Sequence, residues 1–362
     1  MVYKSEDEKF MAEALKLASK GVGHTSPNPA VGCVIVKDGR IIAGDYHHQA
    51  GQPHAEALAL KKAGIKANKA DLYVTLEPCS IYGRTPPCTE AIIAAGIRGV
   101  IAGTVDANPK VNGEGIKKLR AAGIEVTTGV LEDKCREMNR GYSKFMTTGL
   151  PLVTVKFAQS LDGRIATKTG SAKWISSPES RKFAHKLRAE HDAIAVGANT
   201  ANIDNPQLTV RSVKGRNPMR VVITRSGKLR ADLKMFADNE TPSLIVTGNE
   251  GESLLKQRHF AGTEIINVDN NNGGLNLRKM LELLGQREIT SLLIEGGART
   301  GTELIGAGLA DRVIIITAPI FIGEGIDTIG DLKIESIDKA IKLVNITRKK
   351  SGPDYITMGD LA

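Results

Sequence analysis

Apolar positions fall into two rhythms along the chain. Between residues 7 and 20 (DEKFMAEALKLASK), Phe10, Met11, Ala14, Leu15 and Leu17 recur at helical spacing, which predicts a helix stopped by Gly21. The stretch VGCVIVKDGRIIAGDY then reads as two strands joined at Asp38-Gly39, a dipeptide suited to a two-residue hairpin turn. Residues 54–63 (HAEALALKKA) read as a helix ended by Gly64, residues 71–76 as a strand, 89–95 as a helix and 100–104 as a strand. Helix, hairpin, helix, strand, helix, strand makes a small α/β domain with a mixed sheet.

A helical stretch over 131–147 leads to a Gly149-Leu150-Pro151 break, and a second alternation begins. Its strand-like runs are LVTVKFA, DAIAVGA, MRVVIT, SLIVTG, EIINVD, SLLIEGG and DRVIIITAPIFIG, with helical segments such as 178–188 and 277–284 between some of them. That pattern predicts a larger α/β domain with a buried sheet. The boundary is expected near residue 148, dividing the chain into domains 1–147 and 148–362. Its 362 residues suit two domains of the usual size. No internal repeat or low-complexity segment interrupts it.

Composition narrows the function classes. The longest apolar run, 313–322, is broken by Thr317 and Pro319 and is too short to span a bilayer. The N-terminal MVYKSEDEKFM has acids where a signal peptide needs an apolar core, so the cytoplasm is the expected compartment. Four cysteines (Cys33, Cys79, Cys88, Cys135) make no disulfide framework in a chain this long; a close pair near a histidine points to metal or catalysis. The net charge of +9 suits an anionic partner, either nucleic acid or a phosphorylated small molecule. With only 7 Phe, 6 Tyr and 1 Trp there is little to stack on bases, which favours the small molecule.

One constellation carries chemistry. His54-Ala55-Glu56 is followed by Pro78-Cys79 and Cys88, matching the H-x-E … P-C-x-x-C order of zinc nucleobase deaminases except for a longer last spacing, CSIYGRTPPC. Zinc hydrolysis needs three protein ligands, an open position and a base. Residues two apart on a helix point to nearly opposite sides, so His54 and Glu56 can converge only on an ion lying off the helix N-terminus. Pro86 and Pro87 place Cys88 at a second helix start, where the positive helix end favours a thiolate. His54, Cys79 and Cys88 are thus the expected zinc ligands. Glu56 would take a proton from water as it attacks an amino-bearing ring carbon, then deliver it to the leaving nitrogen. Taken singly, a buried Cys is usually a small hydrophobe and a His a hydrogen-bonded residue. Cys33 and Cys135 lie outside the constellation and read as structural.

In order along the chain stand SPNPAVG, GDYHHQAGQPHAE, LEPCSIYGRTPPC, KFAQSLDGRIA, LRAEHDAIAVGANT, DNPQLTVR and LLIEGGA. Together they resemble the bifunctional riboflavin-biosynthesis deaminase–reductase family, and the resemblance covers essentially the whole chain. It implies a cytidine-deaminase-like three-layer N-terminal domain and a dihydrofolate-reductase-like C-terminal domain. It implies deamination of 2,5-diamino-6-ribosylamino-4(3H)-pyrimidinone 5′-phosphate, then NADPH-dependent reduction of the ribose of the aminouracil product to ribityl. A homo-oligomer acting on phosphorylated pyrimidines, with no nucleic-acid or membrane partner, is implied as well.

By the same match, Asn28, His47 and Arg84 would hold the deaminase substrate; the family often has Lys at the position of Arg84. Ala158, Trp174, Thr200 and Asp204 would contact NADPH, as would the run Gly297, Ala298, Arg299, Thr300, Gly301, Thr302 and Glu303. Lys156, Ala172, Arg188, Leu208, Arg211 and Glu295 would contact the reductase substrate. The residues by themselves say less. Glu295-Gly296-Gly297 after a strand, with Gly301 near a helix start, fits either a phosphate site or an ordinary glycine turn. Trp174 also reads as a core or interface aromatic, and each arginine as a surface charge. Two arginines do suit a phosphomonoester, whose oxygens the guanidinium fork matches. Lys156 sits mid-strand, a costly place for a charge unless it is paired or used. Where this chain has Ala172 the family commonly has Ser, so Ser171 or backbone would have to take over that contact.

Two rivals stay open on sequence alone. A nucleic-acid deaminase with an unrelated second domain is allowed by the charge, and NADPH binding would separate it. A purely structural zinc module is the other, but structural sites prefer four protein ligands. Lys156 and Asp204 are the candidate proton donors in the reduction.

Overall fold

The computed structural model describes residues 5–83, 85–237, 241–258, 260, 262–268, 270–271 and 274–362. The chain divides into two compact units, Met1–Gly149 and Leu150–Ala362.

In the first unit, α1 (Glu6–Ala18) starts at Ser5, whose hydroxyl accepts the Glu8 N–H at 3.2 Å. There follow β1 (Gly32–Lys37), β2 (Arg40–Tyr46), α2 (Ala55–Ala63), β3 (Asp71–Val74), α3 (Cys88–Ala94), β4 (Gly99–Ala102), α4 (Glu114–Ala121), β5 (Glu125–Thr128), α5 (Glu132–Met138) and α6 (Arg140–Thr148). Among the described residues the strands form one sheet in the order β2-β1-β3-β4-β5. The β1 pairings are antiparallel and the rest parallel, so the sheet is mixed, as the element order predicts. Alternation along β1 sorts its side chains between two layers. Val34 and Val36 meet Phe10, Met11 and Ala14 of α1, whereas Cys33 and Ile35 meet Ala55 and Ala59 of α2. Helices on both faces of one sheet make three layers.

The expected helix over 131–147 is two helices. Asn139 breaks it, because its side-chain amide is committed to the backbone of Ala30, accepting from the N–H at 2.8 Å and donating to the carbonyl at 3.0 Å. Leu131 lies outside, with φ +53°. Neither α4 nor β5 is foreseen from the sequence.

The second unit comprises β6 (Leu152–Gln159), β7 (Arg164–Thr167), α7 (Pro178–Glu190), β8 (Ala193–Gly197), α8 (Ala198–Asp204), β9 (Met219–Thr224), β10 (Ser243–Thr247), α9 (Asn249–Lys256), β11 (Thr263–Asn267), β12 (Asn270–Asn271), β13 (Gly274–Leu275), α10 (Leu277–Gln286), β14 (Ser291–Glu295), α11 (Ala298–Gly306), β15 (Arg312–Thr317), β16 (Gly325–Asp327), β17 (Leu343–Ser351) and β18 (Asp354–Leu361). Among the described residues its main sheet runs β11-β10-β9-β8-β14-β6-β15-β18-β17. It is parallel from β11 to β15, and β18 and β17 then add an antiparallel edge. Core lies on both faces. Ala193 and Ala195 of β8 join Val153, Val155 and Leu281 on one side, and Ile194 and Val196 join Leu187 and Val222 on the other. Burial on both faces is why these strands read as near-continuous apolar runs.

The expected run over 311–323 is a strand only to Thr317; beyond it Pro319 cannot donate to a ladder. The β17–β18 hairpin and the β7–β16 ribbon are not foreseen. Among the described residues no helix is long and apolar enough to cross a membrane.

Candidate metal centre and catalytic cleft

His54 is the N-cap of α2, with extended backbone (φ −72°, ψ 164°), so its side chain leaves the helix end rather than a lateral face. Cys88 opens α3 directly after Pro87, and Cys79 lies in the loop after β3. These three are the group that could hold a metal among the described residues. Nδ1 of His54 lies 3.5 Å from Cys79 Sγ and 3.3 Å from Cys88 Sγ. Zinc–sulfur and zinc–nitrogen bonds in a tetrahedron set N and S about 3.5 Å apart. The donor set and its spacing therefore fit zinc.

The backbone N–H of Cys88 donates to Cys79 Sγ at 3.3 Å. The Cys88 thiol, that N–H and His54 together lower the Cys79 pKa to about 4, against the cost of burial. Hydrogen bonding to Cys79 and burial keep the Cys88 thiol raised. Glu56, in the first turn of α2, is only 3% exposed. Burial pushes its carboxyl up to about 7, with His54 pulling the other way. Cys88 hydrogen-bonds to it, which places Glu56 beside the ligand cluster.

Asn28 and His47 stand next to this group. The His47 ring lies edge-on to that of His54, with centroids 5.2 Å apart. Its Nδ1 is 3.2 Å from the Pro53 carbonyl and its Nε2 3.1 Å from Asn28 Nδ2. The carbonyl can only accept and the amide nitrogen only donate, so the ring proton belongs on Nδ1. Arg84 lies outside the described residues.

Two residues not singled out in the sequence belong to this neighbourhood. Thr85 Oγ1 is 3.1 Å from His54 Nε2. Glu77, two residues before Cys79, is buried and accepts from the N–H groups of Asp106 (3.1 Å), Gly113 (2.8 Å), Gly115 (2.9 Å) and Ile116 (3.2 Å). Its place beside Pro-Cys, an acid in an apolar run, was the available signal.

In the second unit a cleft of about 1090 Å³ opens at the carboxyl ends of β6, β8, β9 and β14. Lys156 and Ala158 of β6, Thr200 and Asp204 of α8, and Ala172, Trp174 and Arg211 on loops all line it. So do Arg188 of α7 and, around the start of α11, Gly297, Ala298, Arg299, Thr300 and Glu303. Four expected residues do not line it: Glu295 is bound by Arg188, and the other three point elsewhere. Leu208 is 2% exposed and packs in the core, Gly301 is pressed against the Phe157 ring, and the Thr302 hydroxyl is bonded to the Ala298 carbonyl.

Gly296 and Gly297 turn the chain from β14 into α11 with φ +65° and +57°. A Cβ on Gly296 would come within 2.7 Å of Thr200. Here the glycine turn also lines a cleft. Trp174 is 72% exposed, with the Arg181 guanidinium 4.6 Å over its ring, so it is not a core aromatic. Arg181 and His185, both lining the cleft, are missed by the sequence reading.

The fork of Arg188 is turned inward. Its Nε and Nη2 donate to both oxygens of Glu295 at 2.9 and 2.8 Å, and Nη1 donates to the Thr209 carbonyl at 3.2 Å. Lys156 Nζ lies 3.7 Å from the same carboxylate. Burial would raise the Glu295 pKa, but Arg188 and Lys156 outweigh it and hold it at about 2. Lys156 is therefore a paired charge within the sheet.

Comparison with known proteins covers both units. Residues 4–104 match the model of the cytidine and deoxycytidylate deaminase zinc-binding region, and residues 151–356 that of the RibD C-terminal domain. The chain is 44% identical to the riboflavin biosynthesis protein RibD of Aquifex aeolicus, covering 97% of each, and 40% identical to that of Escherichia coli, covering 88% and 89%. It superposes on Acinetobacter baumannii RibD with a TM-score of 0.89 at 35% identity, covering 99% of each chain. A Thermotoga maritima diaminohydroxyphosphoribosylaminopyrimidine deaminase/5-amino-6-(5-phosphoribosylamino)uracil reductase gives a TM-score of 0.86 at 36% identity, again covering 99% of each. Zinc-binding deaminase region in the first unit, reductase domain in the second, and relatives alike over nearly the full length lead to one conclusion: the chain belongs to the RibD family of bifunctional deaminase–reductases of riboflavin biosynthesis.

Proposed function

We propose that residues 1–147 deaminate 2,5-diamino-6-ribosylamino-4(3H)-pyrimidinone 5′-phosphate. Residues 148–362 then reduce the ribose of 5-amino-6-(5-phosphoribosylamino)uracil to ribityl with NADPH. The observation that carries the reading is the convergence of Nδ1 and two sulfurs beside a buried carboxyl near neutrality. When bound, zinc supplies a Lewis acid that makes water a nucleophile near neutral pH. Glu56 accepts the proton of that water as its oxygen adds to the amino-bearing ring carbon. It then returns the proton to the nitrogen, the C–N bond breaks and ammonia leaves. Asn28 and His47 hold the ring, their amide and imidazole fixed by each other and by Pro53. Arg84 meets the substrate phosphate.

In the second unit NADPH supplies a hydride, and the protein supplies orientation. Ala158, Trp174, Thr200, Asp204 and the segment 297–303 hold the cofactor. Lys156, Ala172, Leu208, Arg211 and Glu295 hold the sugar phosphate, and Arg188 acts through Glu295. Lys156 and Asp204 are the proton donors to test. The reading also takes the enzyme to be cytoplasmic and a homo-oligomer. Val344 and Ile346 of the edge strand β17 and Tyr355 of β18, all exposed, support pairing with a second copy.

The test supplies the diaminopyrimidinone phosphate to zinc-loaded protein with and without NADPH. Ammonia release without NADPH, and NADPH oxidation only after deamination, are expected. Absence of both overturns the reading.

A further inference from the structure

The loop between the two cysteine ligands contributes a side chain that the deamination steps do not use. Thr85 stands three residues before Cys88, and its Oγ1 lies 3.1 Å from Nε2 of His54. The other ring nitrogen, Nδ1, faces both sulfurs at 3.5 and 3.3 Å. A neutral imidazole has one N–H and one lone pair, and only the lone pair can bind a metal. With the lone pair on Nδ1, the proton sits on Nε2 and is donated to Thr85 Oγ1. We propose that Thr85 is a positioning residue of the metal centre, whose hydroxyl holds His54 in the Nδ1-ligating tautomer and fixes the plane of its ring. The inference rests on the zinc reading of His54, Cys79 and Cys88.

The local chain is built to hold that hydroxyl still. The Thr85 carbonyl accepts the Gly83 N–H at 3.2 Å, and Pro86 and Pro87 restrict the backbone that follows. The β-branched side chain is itself stiff at χ1. A hydroxyl also has an electrostatic advantage over the carboxylate that often supports a ligating histidine. Glu56 and the Cys79 sulfur already place acidic groups around His54. A neutral acceptor orients the ring without adding another acidic group to these and to Cys88, whose sulfur is 3.3 Å from Nδ1.

The experiment uses the full chain as wild type, Thr85→Val and Thr85→Ser. Zinc affinity is read by competition with a chromophoric chelator, and ligand geometry by the visible absorption of cobalt(II) in the same site. Valine keeps the shape and removes the acceptor, so Thr85→Val should bind zinc about 10–100-fold more weakly, with altered cobalt bands. Thr85→Ser should match wild type in both. Thr85→Val indistinguishable from wild type in affinity and spectrum overturns the proposal. So does Thr85→Ser losing as much as Thr85→Val, because then the methyl group and not the hydroxyl matters. Wild type failing to compete for zinc would instead overturn the reading of the cluster itself.

Discussion

Glu56 and Glu295 are two buried carboxyl groups driven in opposite directions by their surroundings. Burial leaves Glu56 at about 7, able to take and return a proton at little cost in either direction. Glu56→Gln should lower the deaminase kcat by about 10²–10⁴-fold, while NADPH oxidation with the deaminated substrate is unchanged; coupled ammonia and absorbance assays read the two. Glu295 is held at about 2 by Arg188 and Lys156. A lowered folded value stabilises above the free-chain value of 4.5 and is lost as pH falls from there towards 2. Glu295→Gln leaves two largely buried cations, their side chains 12% and 14% exposed, facing a neutral amide, and should cost about 3 kcal/mol at neutral pH. Thermal unfolding at pH 7 and pH 3 should show that difference narrowing in acid. At this scale His54, Glu56, Cys79 and Cys88 were legible because their spacing and the prolines around them are local. The partner of Arg188 was not, because a fork that suits a phosphate is equally satisfied by a carboxylate 107 residues away.

Between elements, the ligand loop is fastened to α4. Glu77 gathers three backbone N–H groups at the start of that helix and a fourth from Asp106, and α4 approaches so closely that a Cβ on Gly115 would lie 2.1 Å from the Pro78 carbonyl. Gly115→Ala must therefore push the segment carrying Cys79. We expect a loss of about 1–3 kcal/mol in stability and weaker zinc binding in a chelator competition. Normal zinc affinity in a folded Gly115→Ala protein would show that the ligand loop is not set by this contact. Strands buried on both faces were legible as apolar runs. α4 was not, since EGIKKLRA buries little more than Ile116 and Leu119. Nor was β17, whose exposed ITRKK carries no alternation and is held as a strand by pairing with β18. Asn139 breaks a helix for a contact with Ala30 that no local pattern announces.

For the whole molecule, the metal donors lie in one unit and the reductase cleft in the other. Removing zinc with a chelator should therefore abolish ammonia release, while NADPH oxidation continues when the deaminated substrate is supplied. Loss of both activities would show that the second unit depends on the metal. The overall charge of +9 agrees with phosphorylated substrates but names no site, since among the described residues most lysines and arginines are exposed. By itself the sequence determined the class of chemistry, because H-x-E and the prolines before Cys88 set backbone positions within a turn or two of the reacting groups. It determined the α/β character as well, through hydrophobic periodicity. Tertiary structure alone decided which nitrogen of His54 faces the sulfurs, that Thr85 takes the other, and that Arg188 closes on Glu295. Those choices depend on groups far apart in the chain competing for the same few hydrogen bonds where burial leaves few alternatives, and a linear pattern does not record who wins.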